Sequence, residues 1–188
     1  MKIALFGGSF DPPHNGHIAA VRAAIEILDL DFVYVIPTGQ NPFKETTASE
    51  DIRFNLATLA FQDIPKVKVL GCEIGHDGVN YTIDTVNWLM EHDEAFKSAT
   101  RYLLIGNDLV PELEKWREYK KLFEQVQPVV LTRGEERILR DDLLFIQTPR
   151  IDISSTDIRA RIHDGQSVAH LVPHQVAAFI QQLHLYEV

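Results

Sequence analysis

The chain has 188 residues, of which 45% are hydrophobic and 24% charged, with a formal net charge of −9; this supports one well-buried α/β domain spanning 1–188 and is short for two. The acidic balance argues against a nucleic-acid surface, which needs a basic stripe. No apolar run approaches the ~20 residues of a membrane span, no secretory pattern opens the chain, and the single cysteine, Cys72, excludes an intrachain disulfide. A cytoplasmic protein without nucleic-acid or membrane partners is therefore expected, and Cys72 reads as a small core residue rather than a nucleophile.

Ile3 to Phe6 form an apolar run that ends at Gly7 and Gly8, the pattern of a strand buried on both faces meeting a tight turn. The two glycines let backbone approach a ligand closely and leave amides as donors. Asp11, Pro12 and Pro13 keep the chain extended up to His14, because a residue before proline is pushed out of the α region. Ile18, Val21, Ile25 and Leu28 then recur at helical spacing, predicting an amphipathic helix from about Asn15 to Leu28. His14 and His17 flank its first turn, where unpaired N–H groups and the helix dipole favour an anion. As metal ligands the pair would supply only two donors, with no thiolate nearby.

Phe32 to Ile36 predict a second strand, and Pro37 to Ala48 a long loop in which Lys44 is the only cation. Ser49 has the position of an N-cap, before a helix with Ile52, Leu56 and Leu59 on one face. Val67 to Leu70 make a third strand. Ile83, Val86 and Met90 mark the next helix, which Thr82 is placed to cap. Tyr102 to Ile105 are a fourth strand followed by Gly106, Asn107 and Asp108, and a further helix is expected to carry Leu113 and Trp116, a residue type that on such a helix is usually core. Val129 to Leu131 form a fifth strand that leads to Arg133, a cation able to screen phosphate. A charged linker to Asp142 and a short sixth strand at Phe145 and Ile146 follow. In ISSTDIR, Ile153 to Arg159, three hydroxyl residues (Ser154, Ser155 and Thr156) can cap a helix that carries Arg159 one turn in. A last helix starts near Pro173 as its first residue, with Val176, Phe179, Ile180 and Leu183 apolar. Strands alternating with helices predict an α/β fold: a doubly wound parallel sheet of about six strands with helices on both faces.

The segment GGSFDPPHNGH resembles the signature of the nucleotidyltransferase superfamily, whose (H/T)xGH element binds ATP phosphates, and its double-histidine form is similar to the bacterial nicotinate-nucleotide adenylyltransferases. NPFK resembles that family's NPHK or PPHR, with Phe43 in place of histidine. NYTIDT resembles SYTxxT with Asn80 in place of serine, GND resembles GxD, and ISSTDIR resembles ISxTxxR. The resemblance runs over nearly the whole chain in order and implies a Rossmann-like sheet and transfer of AMP from ATP to nicotinate mononucleotide. It assigns phosphate orientation and charge stabilisation to His14, His17, Lys44 and Arg159. ATP binding would fall to Gly7, Gly8, Ser9, Phe10, Gly16, Gly106 and Asp108, together with Ile153, Ser154, Ser155 and Thr156. Nicotinate-nucleotide binding would fall to Thr82, Trp116, the Arg117 backbone N–H and Arg133. Mg²⁺ would be bound mainly through the ATP phosphates, with no protein metal site. Phosphopantetheine adenylyltransferases, a dual-specificity or nicotinamide-mononucleotide enzyme, the class I aminoacyl-tRNA synthetase core and a non-catalytic nucleotide-binding regulator are the rival readings. The first of these resembles a shorter chain with threonine in place of His14.

Overall fold

A computed structural model describes residues 1–40, 45–76, 78–132 and 140–187. Its centre is a six-stranded sheet of order β3-β2-β1-β4-β5-β6, built from β1 (Lys2–Gly8), β2 (Phe32–Pro37), β3 (Val67–Val69), β4 (Thr100–Gly106), β5 (Gln127–Thr132) and β6 (Leu144–Gln147). Every neighbouring pair is parallel. The chain winds outward from β1 through β2 to β3, returns to β4 on the other side of β1, and winds outward again. The order therefore reverses between β1 and β4, where open α/β sheets leave a crevice beyond the strand C-termini.

Side chains that alternate along the strands feed two cores. Ala4, Phe6, Val33 and Val35 face one side, under α1 (Asn15–Leu28), α2 (Glu50–Phe61), α6 (Ser155–His163) and α7 (His174–Gln182). Ile3, Leu5, Tyr34 and Ile36 face the other, under α3 (Thr82–His92), α4 (Glu94–Ser98) and α5 (Tyr119–Gln125). This two-sided burial is why the strands read as continuous apolar runs rather than as alternating ones.

Several helix starts and stops follow local chemistry. Ser49 caps α2, its hydroxyl accepting from the Ile52 N–H, and Asp93 caps α4 by accepting from the Phe96 N–H. α1 ends at Asp29 in the left-handed conformation, φ 53°, with its N–H donating to the Ile25 carbonyl; aspartate tolerates this where glycine is commoner.

Three expectations are corrected. The segment carrying Leu113 is a 3-10 helix (Asn107–Lys115) rather than an α-helix, and Trp116 is its C-cap; Pro111 within it lacks an N–H and blocks α-helical bonding. Ile52, Leu56 and Leu59 share the face of α2 that packs on the first core, as expected, and the buried stripe beside them adds Arg53, Ala57, Ala60 and Phe61. Pro173 is the N-cap of α7, one position before the expected first helical residue. Thr82 is the first residue of α3, and the cap before it is Tyr81, which makes no side-chain capping bond. The linker 133–139 lies outside the described residues. No described helix is long and apolar enough to cross a membrane.

Candidate active site

The turn after β1 is packed from beneath by Phe10. Its ring is 2% exposed and meets Phe6, Phe61 and His17 edge to face. Phe10 has φ 49°, a conformation unfavourable for a bulky residue and held here by that packing. Its side chain is thus core, and a nucleotide would meet the backbone. A Cβ at Gly8 would stand 3.1 Å from the Phe10 ring, so the glycine admits the ring as well as a ligand.

His14 is the N-cap of α1 and is 3% exposed. Its backbone N–H donates to His17 Nδ1 at 3.1 Å, and the two rings lie 3.8 Å apart between centroids. An accepting Nδ1 places the neutral His17 proton on Nε2, so this ring can donate from the N-terminal end of α1. A Cβ at Gly16 would lie 2.9 Å from His14 Nδ1; glycine between the histidines is what lets the rings stack.

The second motif docks on the first. Ser154 caps α6, accepting from the Asp157 N–H at 3.1 Å. Ser155 Oγ donates to the Pro12 carbonyl at 2.8 Å, and Arg159 Nη1 donates to the Asp11 carbonyl at 2.7 Å. Arg159 Nη2 also lies 3.5 Å from the Thr156 hydroxyl. Two stretches about 145 residues apart in sequence thus share one edge, with two helix N-termini and a guanidinium beside the β1 turn.

Asp108 lies exposed in the first turn after β4. A Cβ on Gly106 would come within 2.4 Å of its Oδ1, so only glycine admits that arrangement. On the far side of the crevice Arg117 bridges two segments: Nη1 is 3.2 Å from Asp84 Oδ2, and the guanidinium sits 4.9 Å over the Tyr81 ring. Half-buried Trp116 packs on the second core, as does Tyr81, the residue before Thr82. Lys44 and Arg133, both expected at the site, lie outside the described residues, as does Phe43.

Beneath these groups lies a buried polar layer that the sequence reading did not single out. Arg53, 1% exposed, donates to the carbonyls of Ser9 (3.0 Å), Gly39 (3.0 Å) and Ala48 (3.2 Å). It pins the β1 turn to both feet of the loop after β2. Burial lowers its pKa, opposed foremost by Asp11. Glu73 is buried, accepting from the Thr85 hydroxyl at 2.5 Å and the Gly39 N–H at 3.4 Å; burial raises its pKa against those two bonds. A Cβ at Gly39 would come within 2.3 Å of both Asn80 Oδ1 and the Glu73 carbonyl. The signal for Arg53 was present, since it stands three and four residues before Leu56 and Ala57 on an apolar stripe. Glu73 and Gly39 carry no such mark.

Residues 5–161 match the cytidylyltransferase-like family model. A "Probable nicotinate-nucleotide adenylyltransferase" of Gemmatimonas aurantiaca is 36% identical, aligning over 99% of this chain and 92% of its own. One from a Nitratiruptor species is 41% identical over 85% of this chain and 88% of its own. The chain belongs to the nicotinate-nucleotide adenylyltransferase family. Among solved structures, the Plasmodium falciparum nicotinic acid mononucleotide adenylyltransferase complexed with NaAD superposes with a TM-score of 0.78, covering 99% of this chain and 97% of that one. At 20% identity that likeness speaks for the fold: the adenylyltransferase family's sheet is the Rossmann-like one described above.

Proposed function

We propose that this chain transfers the adenylyl group of ATP to nicotinate mononucleotide, giving nicotinate adenine dinucleotide and pyrophosphate. The observation that carries this is the docking of ISSTDIR on FDPPH, through Ser155 to Pro12 and Arg159 to Asp11, beside the helix start that holds His14 and His17. A triphosphate laid along that edge would meet the N-terminus of α1, the imidazoles and Arg159 in turn.

In the reaction an oxygen of the mononucleotide phosphate attacks the α-phosphorus of ATP in line. A new P–O bond forms as the bond to the α,β-bridging oxygen breaks, and that oxygen leaves with pyrophosphate carrying the electron pair. No side chain needs to become covalently attached, so catalysis rests on positioning and on offsetting charge at the bridging oxygen. His17 Nε2–H and the Arg159 guanidinium are the groups we assign to that charge, with Lys44 a further candidate. His14, buried beneath, would orient His17 and offer its own polar edge to phosphate. Mg²⁺ would arrive with ATP. Such an ion would be coordinated mainly by phosphate and water.

For the pyridine end, Trp116 would stack on the ring, while the α3 start at Thr82 and the Arg117 backbone N–H would donate to the ring carboxylate. Asn80 bears on the choice between acid and amide. Its Oδ1 accepts from the Gln40 N–H at 3.2 Å while its own N–H donates to the Gln40 carbonyl at 3.1 Å. One of its two acceptor sites is therefore committed to the protein, and the donors at the α3 start and the Arg117 backbone N–H would favour the acid as substrate. Pyrophosphate release should require ATP, Mg²⁺ and a pyridine mononucleotide together. Equal release with phosphopantetheine as the acceptor would refute the assignment.

A further inference from the structure

The tail after α7 reaches back to the nucleotide end of the molecule. His184 and Tyr186 both have positive φ, 51° and 68°, which for an aromatic residue is held only against a conformational cost. The turn is fixed by the Leu185 N–H on the Ile180 carbonyl, 3.0 Å. It delivers the Tyr186 ring, 8% exposed, into the core under α1 and α2, where the hydroxyl donates to Asp11 Oδ1 at 2.8 Å. Burial and the adjacent Asp11 carboxylate push the phenol far above the ordinary tyrosine value, so it remains a donor.

Asp11 is the hub of this end. Its side chain also accepts from the Thr47 N–H at 2.6 Å and the Ala48 N–H at 3.2 Å, while its carbonyl receives Arg159 Nη1. The same Nη1 stands 4.0 Å from Asp11 Oδ2. That separation is at the outer edge of an ion pair, and a small rotation of the carboxylate would close it. Tyr186 and the Ala48 N–H hold Oδ1 while the Thr47 N–H holds Oδ2, and together they fix the carboxylate at that separation. A guanidinium clasped by Asp11 would be neutralised and drawn off its path to an anion.

We infer that Tyr186 is a positioning residue: by restraining the Asp11 carboxylate it keeps the Arg159 guanidinium available to the triphosphate, making the C-terminal tail part of the ATP end of the site. The adenylyl-transfer reading enters only in naming the anion that Arg159 meets. In the full-length protein, Tyr186→Phe removes one oxygen and keeps the ring. The variant should bind Mg·ATP about 10-fold more weakly by titration calorimetry, with kcat/KM for ATP reduced in proportion and KM for nicotinate mononucleotide unchanged. In an Arg159→Ala background the same change should add nothing, because what it positions is gone. A melting temperature lowered with ATP affinity intact would make the residue merely structural and overturn the proposal, as would additive losses with Arg159→Ala. Should Tyr186→Phe not fold, the wild type still decides: coupling is reciprocal, so Mg·ATP must slow amide exchange over residues 183–187, and unchanged exchange there refutes the proposal. ATP binding without turnover on any pyridine mononucleotide would fell the functional reading alone, since the affinity comparison stands without catalysis.

Discussion

At the scale of single residues, the two histidines of one motif have different environments. His14 is buried as the cap of α1, and His17 accepts at Nδ1 and can donate from Nε2. His17→Ala should lower kcat by about 10²- to 10³-fold, the loss expected for one donor to developing charge, while the circular dichroism spectrum stays that of the folded protein. A kcat equal to wild type would remove His17 from the transition state. Cys72 is the converse case, a reactive atom held inert. Burial, with the neighbouring Glu73 charge, pushes its thiol up to about 12. The sign is that of an acid whose charged form is disfavoured, so at pH 8 the thiolate fraction is on the order of 10⁻⁴, against about a quarter for an ordinary cysteine. Alkylation by iodoacetamide should therefore be slow in native protein and fast in denaturant. Equal rates would show the thiol to be unperturbed.

Elements rather than residues would set the proposed pyridine end. The 3-10 helix after β4 ends at Trp116, and the Arg117 side chain bridges from there to Tyr81 and Asp84 at the start of α3. Because the indole rests half-buried on the second core, one face can serve packing while the other receives a ring. Trp116→Ala should raise KM for the mononucleotide by the equivalent of ~1–3 kcal/mol, by analogy with base stacking on aromatic side chains, and leave KM for ATP nearly unchanged. A variant that unfolds, or that loses ATP affinity equally, would assign the tryptophan to the core alone.

For the whole molecule, the proposed choice of substrate would depend on two segments, the start of α3 and the end of the 3-10 helix, that Arg117 holds together through Asp84 and Tyr81. Thr82 begins α3, and Arg117 follows the 3-10 helix; both would present donors. A nicotinamide NH₂ placed among donors is an unpaired buried polar group, costing about 1–3 kcal/mol, or ~10- to 100-fold. kcat/KM for nicotinate mononucleotide should exceed that for its amide by this factor. A ratio near one would mean that the Asn80 carbonyl can leave Gln40 for the ligand, and the acid-specific pocket would be wrong while adenylyl transfer stood.

The sheet, most of the helices and the order of motifs were legible in the sequence because they rest on local rules. Apolar runs such as Ile3 to Phe6 mark strands buried on both faces, 3.6-residue periodicity marks α1, and Ser49 and Ser154 announce helices by capping them. The residue pattern alone placed the glycine turn after β1 and ISSTDIR at strand and helix ends. Only the tertiary structure decided what lies beneath them. Asp11 read as a residue before proline and Tyr186 as tail, yet they share a hydrogen bond across 175 positions. Arg53 stood out only as a charge on a helix stripe, and its partners, carbonyls from the β1 turn and from both feet of the loop after β2, came from the fold. Buried polar groups must find partners wherever the fold provides them, and partners distant in sequence leave no periodic trace. Which hydroxyl, carboxylate and guanidinium meet is therefore settled when the two halves of the sheet close on each other.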